Sequence, residues 1–169
     1  TLQDLIPGGK NYSKFVPKNL PQLQWNGDSY LYVRGDSLMV AAMPKKKRSV
    51  ALTKATLNEA LKNANLKTVG RLPHFEIPFP GEPVVAFHAG GHRIHFNYET
   101  KQVAADYVLN ADWENQDFCA ANRCIAFTEG NNLKILTAGN EQKVVTNETA
   151  EGVVCGKSVH QNEFGIHKG

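Results

Sequence analysis

The chain has 169 residues, 41 % of them hydrophobic and 21 % charged, so it can bury a core and is not a disordered tail. Its formal net charge of +3 comes from scattered basic residues, which give no electrostatic reason to expect nucleic acid as a partner. The sequence has no apolar run of about eighteen residues, so it predicts no membrane-spanning helix.

The first part of the chain is predicted to be irregular up to residue 21 and then to form hairpins, because proline and glycine interrupt any long element at the start. Trp25-Asn26-Gly27-Asp28 is a hairpin signal, and Arg34-Gly35-Asp36 is the next one. The second motif also spells an integrin-binding tripeptide, but Gly-Asp is common at hairpin tips, so the structural interpretation is favoured. The basic run 44–48 is similar to a nuclear import signal and is interpreted as a solvated loop between two strands.

One helix is predicted after the first hairpins. Thr56-Leu57-Asn58-Glu59 matches a capping box, in which the threonine hydroxyl accepts from the third helical amide and the glutamate reaches back. An apolar face follows, formed by Leu57, Ala60, Leu61 and Ala64. A short inserted helix over about 57–65 is therefore expected to pack on the sheets.

The rest of the chain is organised by a repeat. Residues 85–96 and 125–136 share apolar positions and turn residues at an offset of 40 residues, and each copy has the pattern of a strand, a tight turn and a returning strand. The turns Gly90-Gly91 and Gly130-Asn131 tolerate the positive φ that two-residue hairpin loops require. A weaker copy lies at 32–40. A repeat of about 40 residues, each a small antiparallel meander, is typical of β-propeller blades.

This repeat predicts an all-β fold with antiparallel four-stranded-type blades of an incomplete β-propeller and one short inserted helix. Meanders are expected at about 30–43, 84–107 and 124–147, with 110–122 as a turn-rich crossing between blades. Because closure of a propeller ring typically takes about four to eight blades, about three blade-like units indicate a fragment of a longer protein.

Three cysteines, Cys119, Cys124 and Cys155, form no C-x-x-C pair, and an odd number leaves at least one thiol free. Cys124 lies within a predicted strand and is interpreted as a small buried apolar side chain.

His88, His92 and His95 form a histidine cluster, and three imidazoles can bind zinc. On a hairpin, however, the faces of a strand alternate, so His95 faces opposite to His92. The sequence therefore predicts no metal site.

Neither a hydrolase nucleophile nor a nucleotide site is indicated. No serine has the Gly-x-Ser-x-Gly context of a nucleophile elbow, so no catalytic residue is predicted within this chain. Gly156-Lys157-Ser158 ends like a phosphate-binding loop, but Gly152 comes one residue too late for that motif, so no cofactor is predicted.

Residues 158–166 differ from the repeats before them, because they place one carboxylate, Glu163, among polar residues. A partly buried carboxylate in such a segment can pair with an ammonium group. An ordinary surface glutamate is the alternative interpretation.

Three stretches resemble the amino-terminal region of bacterial dipeptidyl peptidase IV, the propeller part of the prolyl oligopeptidase family of serine peptidases. They are Ala126-Phe127-Thr128-Glu129-Gly130-Asn131-Asn132-Leu133, Val145-Thr146-Asn147-Glu148 and Gly156-Lys157-Ser158-Val159-His160-Gln161-Asn162-Glu163-Phe164-Gly165-Ile166. The resemblance continues more weakly to the start of the chain. It implies that 1–169 is an amino-terminal fragment of a propeller domain, without the hydrolase domain.

In that family an eight-bladed propeller caps an α/β-hydrolase domain with a Ser-Asp-His triad, and the enzyme releases amino-terminal dipeptides, commonly with proline or alanine second. Acidic residues of the propeller bind the free amine of the peptide. The resemblance therefore implies that Glu163 binds the substrate amine, with His160 and Asn162 in support. The better-known members carry adjacent glutamates, whereas Asn162 precedes Glu163 here. A periplasmic or secreted location is also implied, although residues 1–5 have no signal-peptide pattern.

The expected partners are a peptide substrate and the α/β-hydrolase domain of the same chain, without nucleic acid and without a membrane span. Open blade edges also favour self-association. The alternative from another functional class is a non-enzymatic β-propeller scaffold that binds protein or glycan. A downstream Gly-x-Ser-x-Gly elbow followed by Asp and His would distinguish the peptidase from the scaffold.

Overall fold

The computed structural model of the protein describes residues 4, 6–17, 19–43 and 47–157. The described chain contains two helices and eleven strands. In chain order they are α1 (Tyr12–Phe15), β1 (Gln24–Asn26), β2 (Ser29–Arg34), β3 (Ser37–Ala42), β4 (Lys47–Thr53), α2 (Lys54–Asn63), β5 (Val84–Ala89), β6 (His92–Asn97), β7 (Gln102–Val108), β8 (Glu114–Cys119), β9 (Cys124–Glu129), β10 (Asn132–Thr137) and β11 (Gln142–Val144).

The strands form three antiparallel sheets, named here blades 1, 2 and 3. Blade 1 has the order β1-β2-β3-β4, blade 2 the order β5-β6-β7 and blade 3 the order β8-β9-β10-β11. An isolated bridge between Glu76 and Ala86 adds a fourth position beside β5. Within each blade, every strand pairs with the next one in the chain, which is the up-and-down order of propeller blades. The predicted all-β fold with antiparallel blades and a short inserted helix, α2, is confirmed.

The four predicted hairpin turns close two-residue loops. The last paired residues before and after each loop are Asn26 with Ser29, Arg34 with Ser37, Ala89 with His92, and Glu129 with Asn132. The first loop residue is a glycine each time, and all four adopt a φ near +60°, which a glycine reaches without a Cβ penalty. The turn chemistry in the sequence therefore sets the register of all four hairpins.

One strand lies where the sequence predicted only a crossing. Residues 110–122 contain β8, which pairs with β9 along the edge of blade 3. The strand is polar except for its last two residues, and its register shifts between Glu114 and Asp117. Asn115, within that shift, has a φ of +50°. A bulge of this kind removes the strict alternation by which a strand is recognised in a sequence.

Two smaller predictions are also wrong. The helix begins at Lys54, because Thr53 is the capping residue and its hydroxyl accepts from the Thr56 amide at 3.1 Å. The predicted capping box on Thr56 does not form at the start of the helix. In the basic run, Lys47 and Arg48 are the first residues of β4 and not part of a loop, while 44–46 lie outside the described residues.

Two hydrophobic clusters hold the blades together. The first joins blade 1, α2 and blade 2, and its largest buried members are Leu31, Leu38, Leu52, Leu57, Leu61, Phe75, Phe87, Ile94 and Phe96. The second joins blades 2 and 3 through Tyr107, Trp113, Ile125, Phe127 and Leu136. In it the Trp113 ring stacks on Phe127 with 3.7 Å between the centroids. Full burial of one such side chain stabilises the fold by roughly 1.5–3 kcal/mol.

Side-chain amides near β1 connect blade 1 to the segment that leads into blade 2. Gln22 accepts from the Phe75 amide at 2.8 Å, and Gln24 donates to the Phe75 carbonyl at 2.6 Å. Asn26, which is buried, donates to the Glu82 carbonyl at 2.8 Å. These bonds satisfy backbone groups of a segment that has only one bridge of its own to a sheet.

Aromatic rings connect blade 2 to blade 3. The His95 ring lies 4.8 Å from the Phe118 ring and 5.2 Å from the Tyr107 ring, measured between centroids. Phe79, from the segment before β5, completes the cluster at 5.6 Å from His95. Most of these contacts are edge-to-face, the arrangement that the charge distribution of aromatic rings favours.

No helix among the described residues is long and apolar enough to cross a membrane.

Candidate functional site

A polar cleft of about 440 Å³ lies where blade 2 meets blade 3. It is lined by Glu76, Ile77, Pro78, His88, Arg93, Gln116, Asp117, Phe118 and Ala120. A larger and more open groove of about 910 Å³ lies beside it, lined mainly by 67–74. We take the cleft as the candidate site because an ion pair between the buried Arg93 and the partly exposed Glu76 lies in its wall.

Arg93 is the centre of the cleft. It stands on β6 in the apolar middle of blade 2, and its side chain is only 9 % exposed. Nη1 donates to Glu76 Oε2 at 2.8 Å and to His88 Nε2 at 3.3 Å, while the guanidinium lies 4.8 Å from the centre of the Phe118 ring. Because a buried charge is stable only when it is paired and hydrogen-bonded, these partners are what allows an arginine at this position.

His95 is the third polar partner of Arg93. Arg93 Nε donates to His95 Nε2 at 3.3 Å, so this ring nitrogen carries no proton and the imidazole is neutral. The pKa of His95 is lowered to about 4, mainly by burial and in addition by the positive charges of Arg93 and Arg123. Burial and the Arg93 charge also lower the pKa of His88.

Strand register explains why these residues meet. His88 and Arg93 are directly paired across the β5–β6 hairpin, and His95 follows Arg93 by two residues, on the same face. Glu76 is brought in by its bridge to Ala86, two residues before His88. Blade 3 then supplies Phe118 from β8 as the opposite wall.

The cleft has the chemistry of a binding surface. None of the residues that line it is serine, threonine or cysteine, so the lining holds no side-chain nucleophile of those types. It offers one guanidinium, two carboxylates from Glu76 and Asp117, one imidazole and one amide. The Glu76 side chain is 45 % exposed, so its carboxylate remains in reach of solvent while it pairs with Arg93.

The structure separates the three histidines as the strand alternation predicts. His88 and His95 both contact Arg93, whereas His92 lies on the other face, with Nδ1 2.7 Å from Asp106 Oδ1. Among the described residues, no group of three or more His, Cys, Asp or Glu side chains could hold a metal ion.

The predicted substrate-binding residues, Glu163, His160 and Asn162, lie outside the described residues. Just before them, Lys157 pairs with Glu114 of β8. Sequence reasoning did not identify the Arg93 cluster. A charged residue inside the apolar repeat 85–96 was the available signal, because a lone arginine on a buried strand needs partners.

No protein-family model matches the sequence. One solved structure, a "putative dipeptidyl aminopeptidase IV" from Bacteroides ovatus, matches over 100 % of this chain, with 36 % sequence identity and a TM-score of 0.72. The chain spans 23 % of the length of that protein.

Two further solved structures are more distant. The dipeptidyl peptidase 4 of Porphyromonas gingivalis matches 97 % of this chain and 24 % of its own, at 12 % identity and a TM-score of 0.47. Kluyveromyces lactis Hsv2 matches 81 % of this chain and 39 % of its own, at 14 % identity and a TM-score of 0.39. Neither is close enough to add to the argument.

Proposed function

We propose that this chain, which is similar along its whole length to the amino-terminal propeller region of bacterial dipeptidyl peptidase IV, serves as the propeller part of a serine exopeptidase. The enzyme would release amino-terminal dipeptides with proline or alanine second, from a periplasmic or secreted location. The observation that carries the proposal is the match to the Bacteroides ovatus protein at 36 % identity over the full chain.

The role of the propeller in this proposal is to gate the peptide and to hold its free amine. Glu163 accepts a charge-assisted hydrogen bond from the protonated α-amine, and His160 and Asn162 orient the carboxylate. Such a bond contributes on the order of 1.5–3 kcal/mol. Chemistry would then take place on an α/β-hydrolase domain, which the resemblance implies for the same protein.

The cleft around Arg93 supports a gating role and not a reactive one. Its carboxylates reach solvent between two blades while the Arg93 guanidinium is buried behind them, and its lining lacks a serine, threonine or cysteine nucleophile. A surface of this kind can bind and orient polar groups of a peptide without cleaving it.

The test is Glu163→Gln in the intact enzyme, which removes the charge and keeps the shape. We expect kcat/KM for dipeptide substrates with a free amine to fall by roughly ten- to a hundred-fold, because the charge-assisted bond is lost. Amino-blocked substrates never make this contact and serve as the matched control. An unchanged kcat/KM of the variant for free-amine substrates, or an equal fall for free and blocked substrates, would refute the role of Glu163.

A second measurement addresses the enzyme class itself. If the protein is a scaffold that binds protein or glycan, the intact chain will release no dipeptide and will carry no Gly-x-Ser-x-Gly elbow followed by Asp and His. If Glu163→Gln leaves dipeptide release unchanged, the assignment as a peptidase stands and only the role of Glu163 in binding the substrate amine is refuted.

A further inference from the structure

Two of the three cysteines face each other across a hairpin of blade 3. Cys119 is the last residue of β8 and Cys124 the first of β9, and the two are direct partners in the antiparallel register. Burial and the neighbouring Cys119 side chain raise the pKa of the Cys124 thiol. Both are partly buried, so a small reagent from solvent can reach them.

The register satisfies the geometric requirement for a disulfide. Directly opposite residues of an antiparallel pair have Cα atoms about 4.5 or 5.5 Å apart. Both values fall within the range of about 4.4–6.8 Å that disulfides span. The connecting loop, 120–123, ends at Arg123 with a φ of +49°, and so the chain has already turned back before the second cysteine.

Cys155 lies too far from the other two cysteines to form a disulfide with either of them. Its amide donates to the Asn131 carbonyl at 2.9 Å, at the turn that follows the far end of β9. The six residues of β9 begin at Cys124 and lead to that turn, which is roughly 20 Å of extended strand. Of the three possible pairs, only Cys119 with Cys124 is in contact distance.

We propose that Cys119 and Cys124 form an intramolecular disulfide when the protein meets an oxidising disulfide, and that this bond fixes β8 along the cleft. The thiolate of one cysteine attacks a sulfur of the oxidant and expels one thiol. The second cysteine then attacks the mixed disulfide, which expels the second thiol and closes the Cys119–Cys124 bond. Two protein thiols are oxidised, two oxidant sulfurs are reduced, and the two protons go to the released thiols.

The consequence of the bond lies in the position of β8. Gln116, Asp117 and Phe118 all line the cleft, and they directly precede Cys119. β8 is the edge strand of blade 3, paired with β9 only and interrupted by a register shift. A covalent link at its end opposes fraying of this edge and so preserves the wall that Phe118 forms over Arg93.

The test is a thiol count on the 169-residue chain before and after incubation with oxidised glutathione. A maleimide reagent should label three thiols before oxidation and one afterwards, and the oxidised chain should be lighter by about 2 Da. Peptide mapping should place the link between Cys119 and Cys124 and leave the label on Cys155. Addition of a reductant should restore all three thiols.

Two variants make the result specific. Cys155→Ser should form the same bond and retain no labelled thiol, whereas Cys119→Ser should form no intramolecular bond at native conditions. Three labelled thiols after oxidation, a stable glutathione adduct on Cys119 or Cys124, or a link to Cys155 would each overturn the proposal. Because the count on the unmodified chain decides by itself, a variant that fails to fold does not affect the outcome.

Discussion

Acidification should destabilise this protein mainly through one buried side chain, His95. Its pKa in the folded chain is about 4, against about 6.5 for an exposed imidazole, and it is 2 % exposed. The groups that face it are Arg93, Arg123, Glu76 and His88, and the two arginines act in the same direction as burial.

The sign follows from proton uptake. Below about pH 6.5 the unfolded chain binds a proton at His95 that the folded chain does not bind until about pH 4. The lowered pKa therefore costs stability in the acid range, beginning as the pH falls through about 6.5 and reaching its full size below about 4. At pH 5 the loss is about 2 kcal/mol, because 1.5 pH units below 6.5 correspond to about 1.4 kcal/mol each.

The assay is urea unfolding at pH 7 and pH 5 for the unmodified chain and for His95→Gln. Glutamine keeps an acceptor for Arg93 Nε and cannot take up a proton in this range. We expect the variant to be less stable at pH 7, because it loses ring contacts with Phe118 and Tyr107, but to lose less stability between pH 7 and pH 5.

His92→Gln is the matched control, since His92 lies on the other face and pairs with Asp106. An unmodified chain that loses no stability between pH 7 and pH 5 would refute the reasoning. The same conclusion would follow if His95→Gln and the unmodified chain lost equal amounts.

Two further predictions concern the chain by itself. It should cleave no Xaa-Pro-nitroanilide and should not react with a fluorophosphonate probe, because no serine has a nucleophile-elbow context; covalent labelling of any serine would contradict this. It should also self-associate. The strands β4 and β11 each pair on one side only among the described residues, and the side chains of Trp25 and Val144 are 68 % and 63 % exposed. Unpaired strand edges and exposed apolar side chains both favour contact with a second chain. Light scattering over a concentration series should show mass increasing with concentration, and a constant monomer mass up to millimolar concentration would count against it.

The repeat in the sequence predicted most of the fold because it combines two independent signals. Alternating apolar residues indicate strands, and the glycines at positions 35, 90 and 130 mark the tight turns that fix each register. β8 was not predicted because its composition is polar and its bulge breaks the alternation of apolar and polar residues. Its pairing is decided by β9 and by the Phe118 contacts with blade 2, which are tertiary interactions.

Less of the candidate site than of the fold could be predicted from the sequence. An arginine on a buried strand does not reveal its partners, and those of Arg93 come from positions 76, 88, 95 and 118. They converge only after the strands have paired and blade 3 has docked. The role of Glu163 stays a prediction that the amine-anchor experiment decides.

The two contacts between blades differ in their polar and aromatic groups, and this has a consequence for how a propeller can be assembled from repeats. Besides apolar packing, blade 1 binds the segment before blade 2 through the amides of Gln22, Gln24 and Asn26, whereas blade 2 meets blade 3 through edge-to-face rings. A blade copied to another place in the ring would bring amides to face rings, and neither the amide hydrogen bonds nor the ring contacts would form. Duplication of a blade would therefore have to be followed by substitutions at these contacts before the copy packed as well as the original.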